Sequence, residues 1–235
     1  MDFTVARTFS SLYIGLDIAW LLVYVAVLLY FRKRMALVAG LVMGVVLFAI
    51  DYGIYYRALG TREIVGADPF WFLVWFSMSY GITMFAWIWL LLDRDGRAVE
   101  WSLLPILGWV TVGQLSDSFG DRFAQISISR GVGFYHGAMA AILLVGYLIL
   151  VVRKLRGRES VNLLWLMAIG IGVQFAWEAA LLINGIRPAL WQPIVVNSLI
   201  ETNLGLPYIY LIHAVVARRT NAAAAGGDPG DGRKA

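Results

Sequence analysis

The sequence predicts an all-α integral membrane protein of seven transmembrane helices, with the N-terminus outside and the C-terminus inside. Three observations carry this expectation. Of the 235 residues, 60% are hydrophobic and only 14% charged, with a mean hydropathy of +0.75; a soluble domain carries about 25% charge and about 45–50% apolar residues. The apolar residues gather into runs near the roughly 20 residues that a bilayer-crossing helix needs. Lysines and arginines divide unequally between alternate loops.

The spans follow in order. The first covers 11–31 and ends on Arg32-Lys33-Arg34, a stop signal. It is span-length, so no cleavable signal peptide is expected. The second covers 35–57, and the third, 70–92, has no charge from Phe70 to Leu92. The fourth, 101–116, is the weakest, being short and carrying Pro105. Spans at 131–152, 162–183 and 194–217 complete the set, so that 1–219 form one membrane domain. The remainder, 220–235, is rich in Ala, Gly, Asp and Pro and reads as a disordered tail.

Orientation rests on the loops. Those after spans 1, 3, 5 and 7 hold eleven basic residues, at positions 32–34, 94, 97, 153, 154, 156, 158, 218 and 219. The other side holds six: Arg7, Arg57, Arg62, Arg122, Arg130 and Arg187. Localisation is therefore multi-pass in a membrane, the cell membrane in a bacterium, and the lipid bilayer is the first partner. The net charge of +4 reflects this loop asymmetry and does not point to nucleic acid.

An internal repeat is suggested. Phe48-Ala49-Ile50-Asp51 echoes Phe175-Ala176-Trp177-Glu178, and Leu29 to Lys33 echoes Leu150 to Lys154. Spans 1–3 and 5–7 would then be parallel repeats joined by span 4, a 3+1+3 plan. Chance likeness between apolar segments is an equal alternative.

Four carboxylates fall within spans: Asp17, Asp51, Glu178 and Glu201. Each costs at least a few kcal/mol in a bilayer, which makes each a functional hypothesis. At about 1.5 Å per residue all four lie roughly 8–10 Å below the outer edge. His136, Gln114, Ser77, Ser79, Tyr80, Asn197 and Asn203 fall near the same level. The aromatic residues Trp20, Tyr24, Tyr52, Phe76, Tyr80, Trp177 and Tyr208 lie close to it. The inner halves of the spans are almost wholly aliphatic or aromatic. The plainer alternative is a polar plug that pins helix packing, with carboxylates paired to Arg57, Arg187 or asparagines. For His136 alone, a satisfied structural histidine is the better reading.

Several chemistries are excluded. With no cysteine there is no disulfide framework, thiol catalysis or Cys-ligated zinc. Two histidines, His136 and His213, do not make a His-rich metal site. No lysine lies within a span, so a retinal Schiff base cannot form. There is no Gly-rich phosphate loop and no aspartate-rich run to hold magnesium. Asp93-Arg94-Asp95 reads as a solvated turn. Nothing points to a Ser/His/Asp triad. No metal and no cofactor are expected.

Buried acids among aromatic rings permit one reaction in particular, without selecting it. A carboxylic acid in apolar surroundings stays protonated and can deliver its proton to an alkene or an epoxide oxygen. Aromatic faces stabilise the resulting cation by about 1–2 kcal/mol each when desolvated, and exclusion of water prevents quenching. A proton-coupled transporter of small solutes would use the same carboxylates, and so would a double-bond isomerase. A transporter, however, predicts polar groups along a path from both sides, unlike this single layer.

The residues also resemble a known family, the small seven-helix transmembrane terpene cyclases of fungal meroterpenoid and indole-diterpene pathways and their bacterial indole-sesquiterpenoid relatives. The likeness runs over about 11–219. Ala19-Trp20-Leu21-Leu22-Val23-Tyr24 resembles the family's Trp-containing first helix. Ala49-Ile50-Asp51-Tyr52 stands where the family shows Ala-Trp-Glu, whose acid is essential. Tyr80-Gly81-Ile82-Thr83-Met84-Phe85 resembles an Asn-Ile-Gly-Val-Met-Tyr stretch. The run from Glu201 to Tyr208 resembles Asp-Gly-Ser-Tyr-Gly-Ile-Cys-Tyr, whose aspartate is the second essential acid.

The resemblance implies that Asp51 and Glu201 are the catalytic acids, with Asp and Glu exchanged relative to the fungal pattern. It does not say which of them donates. It also implies a prenylated substrate, such as a farnesylated indole, and a prenyltransferase of the same pathway as partner. Trp20, Tyr24, Tyr52, Phe76, Tyr80, His136, Trp177, Glu178, Asn197, Asn203 and Tyr208 are the expected substrate-binding residues.

Overall fold

Long apolar segments favour helix because a helix satisfies its own backbone groups without water. The computed structural model describes residues 4–131, 133–188, 194–196, 198 and 203–226, with side chains described for 6–131, 137–188, 194–196, 198 and 203–220. The chain is predominantly helical. Helix α1 (Ser11–Tyr30) begins at Ser10, whose Oγ accepts the Tyr13 N–H at 3.1 Å. Helix α2 (Arg34–Phe48) runs on into a π-helical stretch, Ala49–Ala58. Helix α3 (Pro69–Tyr80) is capped by Asp68 with Pro69 at its first turn. It continues through a π-helical turn, Gly81–Phe85, into α4 (Ala86–Leu92). Helices α5 (Ala98–Phe119), α6 (Gly133–Leu155), α7 (Leu163–Ile183) and α8 (Leu206–Gly226) complete the order.

Among the described residues, five helical stretches are long and apolar enough to cross a membrane: Ser11–Tyr30, Arg34–Ala58, Pro69–Leu92, Gly137–Leu155 and Leu163–Ile183. Helix α5 stands at the expected fourth span, but it carries Glu100, Gln114 and Asp117 and contains Pro105. The expected span 194–217 falls partly on residues outside those described.

An antiparallel sheet, which an all-α expectation does not contain, joins the helices. Its strands are β1 (Thr4–Ser10), β2 (Arg62–Val65) and β3 (Gln125–Gly131), in the order β1-β3-β2. Strand β1 leads into α1, β2 follows the π-helical end of α2, and β3 precedes α6. The sheet therefore lies across one end of these helices. The Thr8 N–H donates to the Ile186 carbonyl beyond α7 at 3.0 Å, which ties it to a further helix. Arg7 and Ile64 both stand opposite Ile128, and Arg62 stands opposite Arg130. Side chains alternate faces along a strand. Arg7, Arg62 and Arg130 thus share the face that buries Phe9, Ile126 and Ile128, while Thr8, Glu63 and Ser127 take the other.

Glycines set the helix spacing beneath the sheet. A Cβ on Gly81 would lie 2.3 Å from the Cα of Gly44, and one on Gly40 would lie 2.9 Å from the Cα of Ile82. Only small residues allow two helices to approach this closely. The contact brings α2 against the Gly81–Phe85 turn, so the helix of Asp51 lies beside that of Tyr80.

At the helix ends remote from the sheet a second set of polar contacts holds the loops. Asp95 pairs with Lys33 and accepts the Trp101 indole N–H at 3.1 Å. His213 Nε2 and Asp93 Oδ1 lie 2.6 Å apart. The Asp93–Asp95 turn is thus tied to both α8 and the α1–α2 loop rather than simply solvated.

Candidate functional site

A cavity of about 400 Å³ lies under the inner face of the sheet. Its size falls within the range of small-ligand sites. The sheet contributes Arg7, Arg62, Ile128 and Arg130, and α7 with its following turn contributes Gln174, Glu178 and Arg187. The helical wall carries Met43, Leu47, Ile50 and Asp51 from the second helix, Phe76 and Tyr80 from the third, and Met139 and Ile142 from the sixth. Asp51 and Tyr80 both sit at π-helical segments, where an extra residue per turn changes which side chains face inward.

Both carboxylates among the described residues of the cavity are ion-paired. Asp51 pairs with Arg62. Glu178 pairs with Arg187 and lies 3.3 Å from Arg7. Gln174 donates to Glu178 at 3.1 Å and accepts from the Tyr80 hydroxyl at 2.6 Å, so that the network runs from α3 through α7 to the sheet. Burial opposes the charge on Arg7 and Arg62 and pulls both down from their ordinary values. It does the same to Arg187, with Arg7 and Arg130 adding repulsion. Arginine nevertheless remains protonated at neutral pH, its ordinary value being so high. Phe76 and Tyr55 each have a guanidinium against the ring, whereas no such contact is described for Tyr80. The Arg7 guanidinium lies 5.5 Å from the Phe76 centroid, and that of Arg130 lies 4.9 Å from the Tyr55 centroid.

The structure brings four of the expected residues together in this cavity: Asp51, Phe76, Tyr80 and Glu178. Glu201 and Asn197 lie outside the described residues, as does the side chain of His136. The others are placed in packing contacts. Trp20 lies against Gly108 of α5, where an added Cβ would come 2.2 Å from its ring. Tyr24 is fully buried beside Trp20, with ring centroids 6.0 Å apart. Tyr52 stacks between Phe48 and Tyr56, and its hydroxyl takes Arg57, the arginine expected to hold a carboxylate. Trp177 packs on Trp109 at 4.9 Å and meets Tyr80 edge-on at 5.9 Å. Asn203 accepts from the Tyr147 hydroxyl at 2.7 Å and donates to the Met167 carbonyl at 3.2 Å, which joins α6 to α7. The Tyr208 hydroxyl donates to the Ile142 carbonyl at 2.6 Å, which joins α8 to α6.

The remaining members of the polar layer separate likewise. Asp17 is fully buried but accepts the Trp75 indole N–H at 2.9 Å, away from the cavity lining. Gln114 donates to Asn184 at 2.9 Å. Sequence reasoning did not single out the sheet arginines or Gln174. Two signals mark the arginines: the alternation Ile126-Ser127-Ile128-Ser129-Arg130, which reads as a strand, and their place on the side that should be poor in positive charge.

Among the described residues no group of three or more His, Cys, Asp or Glu is placed to hold a metal ion. No family model, curated protein or solved structure matches the chain. The structure is that of a mostly helical chain with several long apolar helices, consistent with a multi-pass membrane protein.

Proposed function

We propose that the chain is a membrane terpene cyclase that protonates an alkene or epoxide of a prenylated substrate and guides the cation through ring closure. One observation carries the reading. Asp51 shares a largely apolar cavity with the aromatic faces of Phe76 and Tyr80. The resemblance of the stretches around Asp51 and Glu201 to the seven-helix cyclases supports it further. The seven-span topology, the outward N-terminus and the 3+1+3 repeat belong to the same proposal. So do a farnesylated aromatic as substrate and a prenyltransferase that supplies it.

The ion pair at Asp51 supports one division of roles between the two acids. An ionised carboxylate only accepts hydrogen bonds and protons. Asp51, paired with Arg62, is assigned the acceptor role. Glu201 is assigned the donor role. Its O–H bond breaks as the proton forms a new C–H bond at the terminal alkene, whose π bond is consumed, or an O–H bond at the epoxide, whose C–O bond then breaks to leave the cation on carbon. The cation is attacked by the next alkene, which closes a ring. The last cation loses a C–H proton to Asp51, so product and substrate are isomers. Phe76 and Tyr80 shield the cations, and the apolar wall keeps water away. Glu178 already faces two arginines and Gln174, and holds the site's frame rather than a transferable proton.

Expression in a host that makes farnesylated indoles and their epoxides tests this. The expected product has the substrate's mass, a new retention time and fewer alkene protons. A well-expressed protein that yields no such isomer across a prenyl panel contradicts the proposal. A proton flux lost on Glu201→Gln, without turnover of any prenyl compound, would identify a transporter instead.

A further inference from the structure

The cavity carries more positive than negative groups. Among its described residues four arginines, Arg7, Arg62, Arg130 and Arg187, face two carboxylates. The pairing locates the excess. Asp51 neutralises Arg62, and Glu178 is shared by Arg7 and Arg187. Arg130 pairs with no described carboxylate and rests on the Tyr55 ring. One surplus charge is therefore at Arg130 and the other is divided between Arg7 and Arg187.

Hydrogen bonding gives a second, independent indication. Arg187 is only 4% exposed, yet its Nη2 has no acceptor among the described residues. The Nε groups of Arg7 and Arg62 and the Ser77 hydroxyl are likewise buried without partners, and all four residues line the cavity. An unmet buried donor is costly, and more so when it is charged. Three of the four belong to the arginines that supply the cavity's positive charge, so its wall is rich in donors and short of acceptors, which suits an acceptor-rich, negatively charged group.

The rest of the cavity is apolar. Met43 and Leu47 on α2 face it, with Met139 and Ile142 on α6. Helix α6 packs mainly on α8 and the Asn203–Gly205 turn. We infer that the site takes an amphiphile with an oxyanion head, a carboxylate or phosphate, held by Arg130 and Arg187 under the sheet, and an apolar tail between α2 and α6. This rests on the proposed function in treating Glu201 as a neutral acid, so that it does not cancel the surplus charge.

The test uses the full chain in nanodiscs of zwitterionic lipid. Binding of farnesoic acid, farnesyl phosphate and neutral farnesol is compared. Both anions should bind about tenfold tighter or more than farnesol, the effect of one charge-assisted hydrogen bond. Arg130→Gln should remove most of that advantage, and Arg130→Lys should keep it. Equal binding of farnesol, or an advantage that survives Arg130→Gln in folded protein, overturns the inference. Should Arg130→Gln not fold, the comparison of the three ligands on the unaltered chain still decides. Phosphatidylglycerol added to the nanodiscs should not displace the prenyl anions; displacement would assign the oxyanion site to a lipid headgroup and overturn its assignment to substrate. Anion-selective binding without cyclisation would remove the proposed reaction and leave this site standing. Cyclisation of neutral prenyl aromatics, with no preference for anions, would do the reverse.

Discussion

Arg187, beyond the end of α7, and Glu178, nine positions earlier within that helix, meet in a buried ion pair. Arg7 reaches the same carboxylate from β1, so this one contact joins the sheet to the helices. Removing a single partner of a buried pair costs about 3–5 kcal/mol, because it leaves uncompensated charge. Glu178→Gln would leave two buried guanidinium groups without their anion. It should lower thermal stability in detergent by that order, while Arg57→Gln, at an exposed position, should change it little. Equal unfolding temperatures for Glu178→Gln and the unaltered chain would contradict this description.

Close packing of α2 on the Gly81–Phe85 turn gives a second test. Gly81→Ala should be destabilising by about 1–3 kcal/mol, because its Cβ would meet the backbone of Gly44 rather than a movable side chain. Gly172→Ala, on α7, meets nothing within 4 Å and should be neutral or stabilising by about 0.5–1 kcal/mol. Thermal melts of the two variants side by side read the difference directly.

Two aromatic residues from the same layer should behave differently. Trp20 packs on Gly108, so Trp20→Ala should cost about 3–5 kcal/mol of stability and leave the product pattern unchanged. Phe76 faces the cavity, so Phe76→Ala should alter the ratio of products or the turnover in conversion assays. A changed product pattern in folded Trp20→Ala, with none in Phe76→Ala, would move the site away from this cavity.

The loop pair Lys33–Asp95 has a defined pH dependence. Burial pushes the Asp95 carboxyl up, but Lys33, the Arg97 N–H and the Trp101 indole outweigh it and hold the carboxyl below its ordinary value. A lowered folded value means that the pair stabilises the fold above the ordinary carboxylate range and is lost as the pH falls through the folded value. Asp95→Asn should therefore lower the melting temperature at neutral pH. The gap to the unaltered chain should close in strong acid; a gap constant over that range would show that the carboxylate charge is not involved.

The helices were legible because a bilayer demands unbroken apolar runs, and the helical boundaries near residues 11, 34, 69 and 163 follow from where charge and caps interrupt them. The sheet was harder to read. Strand β2 is short, and both β1 and β2 carry arginines toward the core, which breaks the simple apolar alternation. The same arginines diluted the charge asymmetry between loops: Arg7, Arg62, Arg130 and Arg187 are four of the six basic residues on the poorer side, and all four turn into the cavity. Depth along a helix could be counted from sequence, and it placed Asp17, Asp51 and Glu178 at one level. Rotation about the helix axis could not. Asp51 and Glu178 share the cavity, whereas Asp17 turns to Trp75. The π-helical stretch at Ala49–Ala58 adds to that difficulty, because it departs from the 3.6-residue period used to assign faces.

Acid-initiated cyclisation in this cavity would transfer a solvent-exchangeable proton to carbon, and isotope incorporation reads that transfer. Membranes containing the chain would be incubated in deuterium oxide with a farnesylated indole carrying a terminal alkene. The expected product is a cyclic isomer bearing one deuterium at the carbon protonated first, and it should be lost in both Asp51→Asn and Glu201→Gln at unchanged protein level. A cyclic product without deuterium at that carbon, or full activity in Asp51→Asn, would contradict it.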